Sequence, residues 1–314
     1  EDTLSLHDAL PISWLQAARP KTLSGAAVPV MIGTAFAWKT AGPEYFRILP
    51  AILCFLFAFI MQIDANLIND YFDCVKGNDD ISTRLGPKRA CTEGWITLPV
   101  MRKGIIITTT IACIIGLPLI YYGGSEMIII GFICVIFCFL YTTKLSYLGL
   151  GDLLVLVFFG IIPVCLTYYV IVPGEKQHVT IPVFLASLGC GLIIDTLLVI
   201  NNFRDRENDK EAEKITLVVR IGEKWGYNLY KIVGSTGYIF TLIALFLEGM
   251  QSAKTLLIVA LCLQIPFAIL NDMAFRKMGK IWKGKELNKI LGLTARNMLI
   301  YGLFSTIGII ILSF

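Results

Sequence analysis

Histidine and charge are both scarce in this sequence. Its 314 residues include two histidines, His7 and His178, and charged residues make up 16% of the chain, whereas soluble domains contain about 25%. So few histidines leave almost no material for a His-ligated metal, a haem or a Ser-His-Asp triad. The nine cysteines include no C-x-x-C pair, and we interpret them as small buried hydrophobes. The composition also excludes a disordered chain, a disulfide scaffold and a nucleic-acid-binding domain.

Apolar residues are correspondingly abundant, at 56% of the chain, with a mean hydropathy of +0.73. Nine windows of 16 to 22 residues contain no Asp, Glu, Lys or Arg: 22–38, 48–63, 104–125, 127–143, 153–174, 177–194, 232–247, 255–271 and 297–314. A spanning helix needs about 20 mostly apolar residues, and flanking lysines and arginines reach outward to extend the shorter windows. Continuous apolar runs fit helices and not barrel strands. We therefore predict an all-α polytopic membrane protein with nine transmembrane helices around a central cavity.

The basic residues indicate which way the predicted helices cross the membrane. Of the 27 lysines and arginines, 23 fall on the side of the N-terminus and four on the other: Lys39, Arg47, Lys176 and Lys254. By the positive-inside rule, the N-terminus is cytoplasmic and, after nine crossings, the C-terminus lies outside. The long connections, near residues 70–103, 202–230 and 274–296, are all on the cytoplasmic side. We therefore expect a multi-pass protein of the cytoplasmic membrane with its active site on the cytoplasmic side.

The first twelve residues, EDTLSLHDALPI, do not fit the remainder of the sequence. They contain neither a signal-peptide pattern nor a membrane segment, and we interpret them as a non-native or unstructured tail. Residues 13–314 are expected to form a single intramembrane domain.

Two clusters of acidic and amide side chains follow the second and the sixth predicted helices. The first cluster occupies residues 66–80, and its members that would share an arc of about 100° on a helix are Asn66, Asn69, Asp70 and Asp73. The second cluster occupies residues 201–209, where Asp205 and Asp209 share a face. The clusters are four helices apart, which predicts two four-helix halves with equivalent acidic sites, plus a ninth helix.

The residue types in these clusters favour a metal-bound anion. Carboxylates at a helix C-terminus oppose the helix dipole unless a cation is bound there, although solvated helix ends would explain a single cluster equally well. Asp and Asn supply the oxygen ligands that Mg²⁺ prefers, together with water and substrate phosphate. The basic loops suit a diphosphate and the apolar bundle suits a lipid tail. The residues alone therefore predict an intramembrane enzyme or carrier for a lipid diphosphate.

Two further acids, Asp64 and Asp195, lie inside predicted helices. Ionisable residues within a membrane are candidates for function. Asp195 lies seven residues before Asn202, on the same helix face but deeper. We expect Asp195 to belong to the wall of the cavity.

Several stretches taken together resemble the UbiA-type intramembrane prenyltransferases. They are residues 66–79, 19–23 (RPKTL), 84–89 (RLGPKR), 148–152 (LGLGD), 157–160 (VFFG), 201–205 (NNFRD) and 216–222 (TLVVRIG). The resemblance runs from about residue 14 to 225, and the last third matches only in helical character. Within the family, these residues most resemble the members that act on 1,4-dihydroxy-2-naphthoate in menaquinone synthesis.

The resemblance implies an Mg²⁺-dependent transferase reaction. A polyprenyl diphosphate would ionise to an allylic cation, and 1,4-dihydroxy-2-naphthoate would attack it and lose CO₂, giving a demethylmenaquinone and diphosphate. Two Mg²⁺ ions would bridge the two acidic motifs and the diphosphate. The implied partners are these two substrates and the lipid bilayer, with no nucleic acid and no protein partner.

Matching positions carry the expected site residues over to this chain. The expected metal ligands are Asn69, Asp70, Asp73, Asp79, Asn202, Asp205 and Asp209, and the catalytic set is the same without Asp70 and Asp79. The expected diphosphate-binding residues are Lys76, Arg84, Arg204 and Lys214, each of which could instead serve only to set topology. The candidates for the acceptor or cavity wall are Tyr141, Lys144 and Asp195.

Two alternatives stay open from the sequence. The first is a UbiA-type enzyme with another acceptor, such as 4-hydroxybenzoate or protohaem; Gly77 argues mildly against the 4-hydroxybenzoate type, whose first motif usually has Asp there. The second is a secondary transporter with acidic coupling sites. Transporters place such sites near the membrane midplane on broken helices, whereas most acids here lie at helix ends beside basic loops.

Overall fold

The computed structural model describes residues 6–77 and 84–314, and it describes residues 6–10 and 21 by their backbone alone. This part of the chain is helical and contains no strand. The helices up to the middle of the chain are α1 (Leu6–Ala18), α2 (Leu23–Tyr45), α3 (Ile48–Lys76), α4 (Leu98–Gly116), α5 (Leu119–Gly123), α6 (Glu126–Thr143), α7 (Gly151–Val155) and α8 (Ile162–Ile171). The later helices are α9 (Ile181–Glu211), α10 (Leu217–Ile221), α11 (Glu223–Gly249), α12 (Lys254–Cys262), α13 (Ile265–Ile281) and α14 (Leu287–Ile311).

Eight helical segments in the described residues are long and apolar enough to cross a membrane. They are Ile48–Lys76, Leu98–Gly116, Glu126–Thr143, Gly151–Ile171, Ile181–Glu211, Glu223–Gly249, Lys254–Ile281 and Leu287–Ile311. The prediction of an all-α polytopic membrane protein is confirmed. α2 covers the first apolar window but is not among the eight. It is rich in small residues and packs among α3, α8 and α14. The count of nine crossings and the cytoplasmic N-terminus stay predictions.

Several helices continue well beyond their apolar windows. α3 runs on to Lys76, α9 to Glu211 and α13 to Ile281, so the connections after these helices are shorter than the sequence indicated. The added turns are rich in charged and amide residues, among which Arg, Lys and Glu have good helix propensity. The described part of the first acidic cluster and the whole of the second therefore lie on helix extensions. At the other end of the chain, α1 begins at Leu6, inside the segment assigned to a tail.

The bundle is organised around α9, which packs against α2, α8, α11 and α14 and against the π-helical turn Leu156–Ile161 that joins α7 to α8. Glycines allow the closest approaches. A Cβ added at Gly160 would lie 2.6 Å from the Gly191 Cα, and one added at Gly189 would lie 2.8 Å from the Gly237 carbonyl oxygen. Small residues at such crossings let membrane helices pack tightly. This packing fixes α9, and with it the second acidic cluster.

Candidate active site

The part of the first acidic cluster that the structure describes lies on the last turns of α3 and at its end. The helix ends at Gly77, which has a φ of 67° and donates its backbone N–H to the carbonyls of Asp73 and Cys74. A positive φ is readily adopted by glycine, so Gly77 lets the chain leave the helix directly after the cluster. Asp79, a predicted metal ligand, lies outside the described residues.

Asp70 and Asp73 have different partners although both belong to the predicted metal site. Asp70 is 1% exposed, and its two oxygens accept hydrogen bonds from the backbone N–H groups of Ala90 and Cys91 at 2.9 and 3.1 Å. Burial, with the nearby Asp70 carboxylate, raises the pKa of the Cys91 thiol to about 12. Asp70 thus fixes the loop after α3, whereas Asp73 forms an ion pair with Arg89, 2.6 Å from Oδ2 to Nη2.

Asn69 is held from the opposite side of the bundle. Its Oδ1 accepts a hydrogen bond of 2.6 Å from Thr142 at the end of α6. The amide group is therefore oriented by a buried hydroxyl, since Thr142 is 3% exposed. This contact ties the first cluster to the end of α6.

Arg204 organises the second cluster, on the last turns of α9. Its guanidinium donates to both oxygens of Asp205 at 2.7 and 2.5 Å, and to the Oδ1 atoms of Asn201 and Asn288 at 2.8 Å each. Asn288, at the start of α14, in turn donates to the Leu85 carbonyl at 2.7 Å. The predicted diphosphate-binding Arg204 thus positions Asp205 and links the second cluster to the loop that follows the first.

Asp209 completes the second cluster. Its Oδ1 lies 3.2 Å from the Nζ of Lys214, and its backbone carbonyl accepts a hydrogen bond from the Lys214 N–H at 2.8 Å. The other carboxylate oxygen is buried and has no hydrogen-bond partner in the part of the chain that the structure describes. Asp209 therefore has one oxygen left to bind a ligand.

One pocket receives side chains from both clusters. Its cavity volume is about 120 Å³. The residues that line it are Arg19, Asn69, Asp73, Arg89, Tyr141, Thr142, Ser146, Tyr147, Gly151, Asp152, Leu198, Asn201, Asn202, Lys214, Thr216 and Leu217. The structure thus brings together five of the predicted site residues: Asn69, Asp73, Tyr141, Asn202 and Lys214. The other predicted residues in the described part of the chain are not part of the lining.

Four predicted basic residues lie outside the pocket lining, among them Arg204, described above. Lys76 donates to the Thr143 carbonyl at 2.8 Å and stands 4.0 Å from the centre of the Tyr147 ring, which itself lines the pocket. Arg84 donates its Nε–H to the Pro87 carbonyl at 2.6 Å. Lys144 is exposed at the end of α6. Lys76 thus contacts a lining residue through its side chain.

Two arginines that were not among the expected diphosphate-binding residues line the pocket. Arg89 pairs with Asp73, as described above. Burial, together with the positive charge of Arg89, lowers the pKa of Arg19 to about 9, and the nearby Asp70 and Asp73 oppose this change. Both arginines belong to stretches that carried the family resemblance, yet their convergence depends on the path of the loop after α3. They give the pocket a cationic wall beside Asn69 and Asp73.

The sequence comparisons agree with the residues in this pocket. The model of the UbiA prenyltransferase family matches residues 26–284, which is most of the chain. This chain belongs to the UbiA prenyltransferase family. The resemblance inferred from the sequence motifs is therefore confirmed, and it extends beyond residue 225.

Two curated relatives are similar to this chain over much of its length. The 1,4-dihydroxy-2-naphthoate octaprenyltransferase of Escherichia coli (strain K12) is 39% identical over 221 residues, covering 67% of this chain and 69% of that protein. The protein of the same name from Mycobacterium tuberculosis is 30% identical over 301 residues, covering 92% and 94%. The solved structure of a UbiA homologue from Archaeoglobus fulgidus bound to GPP and Mg²⁺ has a TM-score of 0.58 at 15% identity, covering 95% of this chain and 99% of that one. That structural likeness concerns the fold.

The oxygen atoms around the pocket of this UbiA-family chain suit a hard cation. In residues 6–77 and 84–314, no group of three or more His, Cys, Asp or Glu side chains is arranged to hold a metal unaided. The donors in the lining are instead a few carboxylate and amide oxygens, those of Asn69, Asp73 and Asn202 among them, while the unpartnered oxygen of Asp209 is buried outside the lining. Mg²⁺ commonly takes one or two carboxylates and completes its shell with water and substrate phosphate. The donor set therefore fits Mg²⁺ bound together with a phosphorylated ligand.

One further acid, Asp152, lines the pocket. The phenol of Tyr141 lies within electrostatic range of Asp152, Asp195, Asp73 and Asp209. Asp195 is 2% exposed on α9 and does not line the pocket itself. The intramembrane acid Asp64 does not line the pocket either, and Thr108 and Thr109 of α4 donate to its two oxygens at 2.5 and 2.7 Å.

Proposed function

We propose that this chain transfers a polyprenyl group from an isoprenoid diphosphate to 1,4-dihydroxy-2-naphthoate, with loss of CO₂. The products are a demethylmenaquinol, which is the hydroquinone form of a demethylmenaquinone, together with CO₂ and diphosphate. The observation that carries the proposal is the single pocket lined by Asn69 and Asp73 of one cluster and Asn202 of the other. The names of the Escherichia coli and Mycobacterium tuberculosis relatives support the choice of acceptor.

Two Mg²⁺ ions are proposed to bind between the clusters with the diphosphate. The ligands are drawn from Asn69, Asp73 and Asp79 on one side and from Asn202, Asp205 and Asp209 on the other. Asp70 is not included in this proposal, because both of its oxygens already accept hydrogen bonds from the loop backbone. When bound, the metal ions neutralise the diphosphate and make it a better leaving group.

The basic side chains of the pocket bind the rest of the diphosphate charge. Arg19, Arg89 and Lys214 line the pocket directly, and Lys76 stands over the Tyr147 ring at its edge. Charge-assisted hydrogen bonds to phosphate are among the strongest that proteins make. These residues hold the diphosphate oxygens while the bond to the prenyl carbon breaks, and Arg204 acts indirectly by holding Asp205.

The inner wall of the pocket positions the acceptor. Tyr141 and Leu198 provide aromatic and apolar surface there, and Tyr141 stands within electrostatic range of acids from both clusters. An aromatic acceptor placed against Tyr141 would face the prenyl carbon as it separates from the diphosphate. Because the allylic cation reacts with water, a pocket at the end of a packed bundle favours attack by the acceptor.

We also propose that the pocket opens toward the cytoplasm in the cell membrane. The support is the distribution of basic residues, 23 of 27 of which fall on the side of the N-terminus and of both acidic clusters. A reporter fused after Phe314 tests the nine-crossing topology. Alkaline phosphatase should be active there and a fluorescent protein dark, whereas the reverse result would place the C-terminus in the cytoplasm.

A membrane assay tests the function. Vesicles containing the protein are supplied with prenyl diphosphate, 1,4-dihydroxy-2-naphthoate and Mg²⁺, and the prenylated product and CO₂ are measured. We expect product with 1,4-dihydroxy-2-naphthoate and none with 4-hydroxybenzoate. EDTA, Asp73→Ala and Asp205→Ala should each abolish turnover, while Asp272→Asn, an exposed acid on α13 paired with Arg276, serves as the matched control.

The outcomes separate the parts of the proposal. Product formed only with 4-hydroxybenzoate would replace the acceptor but keep the enzyme class. Product that persists at the wild-type rate after chelation, or in either alanine variant, would refute the metal-assisted mechanism.

A further inference from the structure

The pocket contains one carboxylate that the proposed function does not use. Asp152 lies in the first turn of α7 and lines the pocket. Both of its oxygens are buried, and neither accepts a hydrogen bond from another described residue. Leaving a buried carboxylate without partners costs free energy, because its bonds to water are lost and not replaced. The position therefore suits a group that acts on a ligand.

The backbone around Asp152 is held against two other helices. A Cβ added at the preceding Gly151 would lie 3.3 Å from the Leu198 side chain of α9 and 4.0 Å from the Tyr141 ring of α6. The close approach fixes the start of α7 against the inner wall. Asp152 is therefore presented by a rigid part of the bundle and not by a mobile loop.

The surroundings of Asp152 differ from those of the two acidic clusters. Asp73 is paired with Arg89 and Asp209 with Lys214, whereas no ion pair involves Asp152 or Asp195 among the residues that the structure describes. Asp195 is 2% exposed, one of its oxygens is without a hydrogen-bond partner, and the charge of Asp152 acts on it. Two carboxylates without an ion-pair partner are suited to accept hydrogen bonds from hydroxyl donors and not to bind a diphosphate.

We propose that Asp152 is the catalytic base for the acceptor, accepting a hydrogen bond from the hydroxyl next to the carboxylate-bearing ring carbon. This inference rests on the proposed function, which supplies an acceptor with two phenolic hydroxyls. Neither cluster is available for this role, because each is assigned to the metal and the diphosphate. Tyr141 lies beside the same site and orients the ring.

Asp152 then accepts and returns the proton that the reaction moves. As the ring carbon bearing the carboxylate bonds to the prenyl carbon, the carbon–oxygen bond to diphosphate breaks and diphosphate leaves with the electron pair. The hydroxyl proton passes to Asp152, and the oxygen becomes a ketone. The adduct is a β-keto acid, so its carbon–carboxylate bond breaks, CO₂ leaves, and the electron pair returns to the ring while Asp152 returns the proton to the oxygen.

The test compares Asp152→Asn with the wild type and with Asp272→Asn as the matched control. Removing a general base lowers rates by about 10²- to 10⁴-fold, so we expect a loss of at least about 100-fold in kcat. The KM for prenyl diphosphate and the Mg²⁺ concentration for half-maximal rate should stay unchanged. Asp152→Glu should recover part of the rate, and a fluorinated acceptor, whose hydroxyl is more acidic, should lessen the deficit of Asp152→Asn.

Three results would overturn the assignment. The first is an Asp152→Asn variant that is well folded and turns over at the wild-type rate. The second is a rise in the Mg²⁺ requirement, which would make Asp152 a metal ligand. The third is a deficit that is the same for both acceptors. If the wild type itself does not prenylate 1,4-dihydroxy-2-naphthoate, the proposed function fails, which is a separate outcome from any of these.

Discussion

Arg204 offers the sharpest test of how the second cluster is held. Its side chain is 3% exposed and donates four hydrogen bonds, two of them to Asp205, which is 24% exposed. Removing one partner of a buried ion pair costs about 3–5 kcal/mol. Because about a quarter of Asp205 is exposed, we take the lower end, so Arg204→Gln should lower the free energy of unfolding by about 3 kcal/mol.

Thermal unfolding in detergent measures this change. A chain of this size loses about 2 °C of melting temperature per kcal/mol, which gives a fall of about 6 °C for Arg204→Gln. The variant should also need more Mg²⁺ for half-maximal turnover, because the Asp205 carboxylate is no longer oriented. Asn288→Ala removes one of the four bonds and should show a smaller change in the same direction.

A double-mutant cycle with Asp205→Asn isolates the pair from general effects of truncation. Residues in direct contact couple by about 0.5–3 kcal/mol, so the double variant should be clearly less destabilised than the sum of the two single variants. If the two effects simply add, or if Arg204→Gln melts with the wild type, then Arg204 does not position Asp205.

Other contacts give further expected outcomes. Gly160→Ala should lower the melting temperature, because the added Cβ would lie 2.6 Å from the backbone of α9 and overpacking costs about 1–3 kcal/mol. The control variant Gly131→Ala should not lower it, because a Cβ added there has nothing within 4 Å. Thr109→Val removes a 2.7 Å bond to Asp64 and should cost about 0.6 kcal/mol, the average for membrane proteins; an effect above about 2 kcal/mol in a melting curve would contradict that estimate. Asp70→Ala leaves two loop N–H groups without acceptors, so limited proteolysis within residues 84–97 should become faster, and an unchanged rate would show that Asp70 does not hold the loop.

The sequence predicted the positions of most helices well and the residues at which they end less well. Charge-free windows mark where a helix is apolar, but they stop at the first charged residue, so they could not show that α3 continues to Lys76 or α9 to Glu211. Helical spacing was enough to place Asn69 and Asp73 near each other, because i and i+4 positions share a face. The family resemblance then supplied the pairing of the two clusters that spacing alone left open.

Residues that meet through loops were harder to predict. Arg89 reaches Asp73 only because Asp70 binds the backbone of the loop after α3, and no periodicity reports such a path. Asp152 was visible in the LGLGD stretch, but a single carboxylate has no spacing pattern to mark it. Its two unpartnered oxygens could be recognised only once α6, α7 and α9 were placed around it.

The π-helical turn Leu156–Ile161 acts as a register shift between the two ends of one membrane span. A π-turn is equivalent to one residue inserted into an α-helix, and one residue corresponds to a rotation of about 100°. Deleting a single residue here would restore a continuous α-helix of nearly the same length. The deletion would rotate Asp152 away from the pocket, while Gly160 would keep its contact with α9. The variant would therefore still insert into the membrane but would lose turnover.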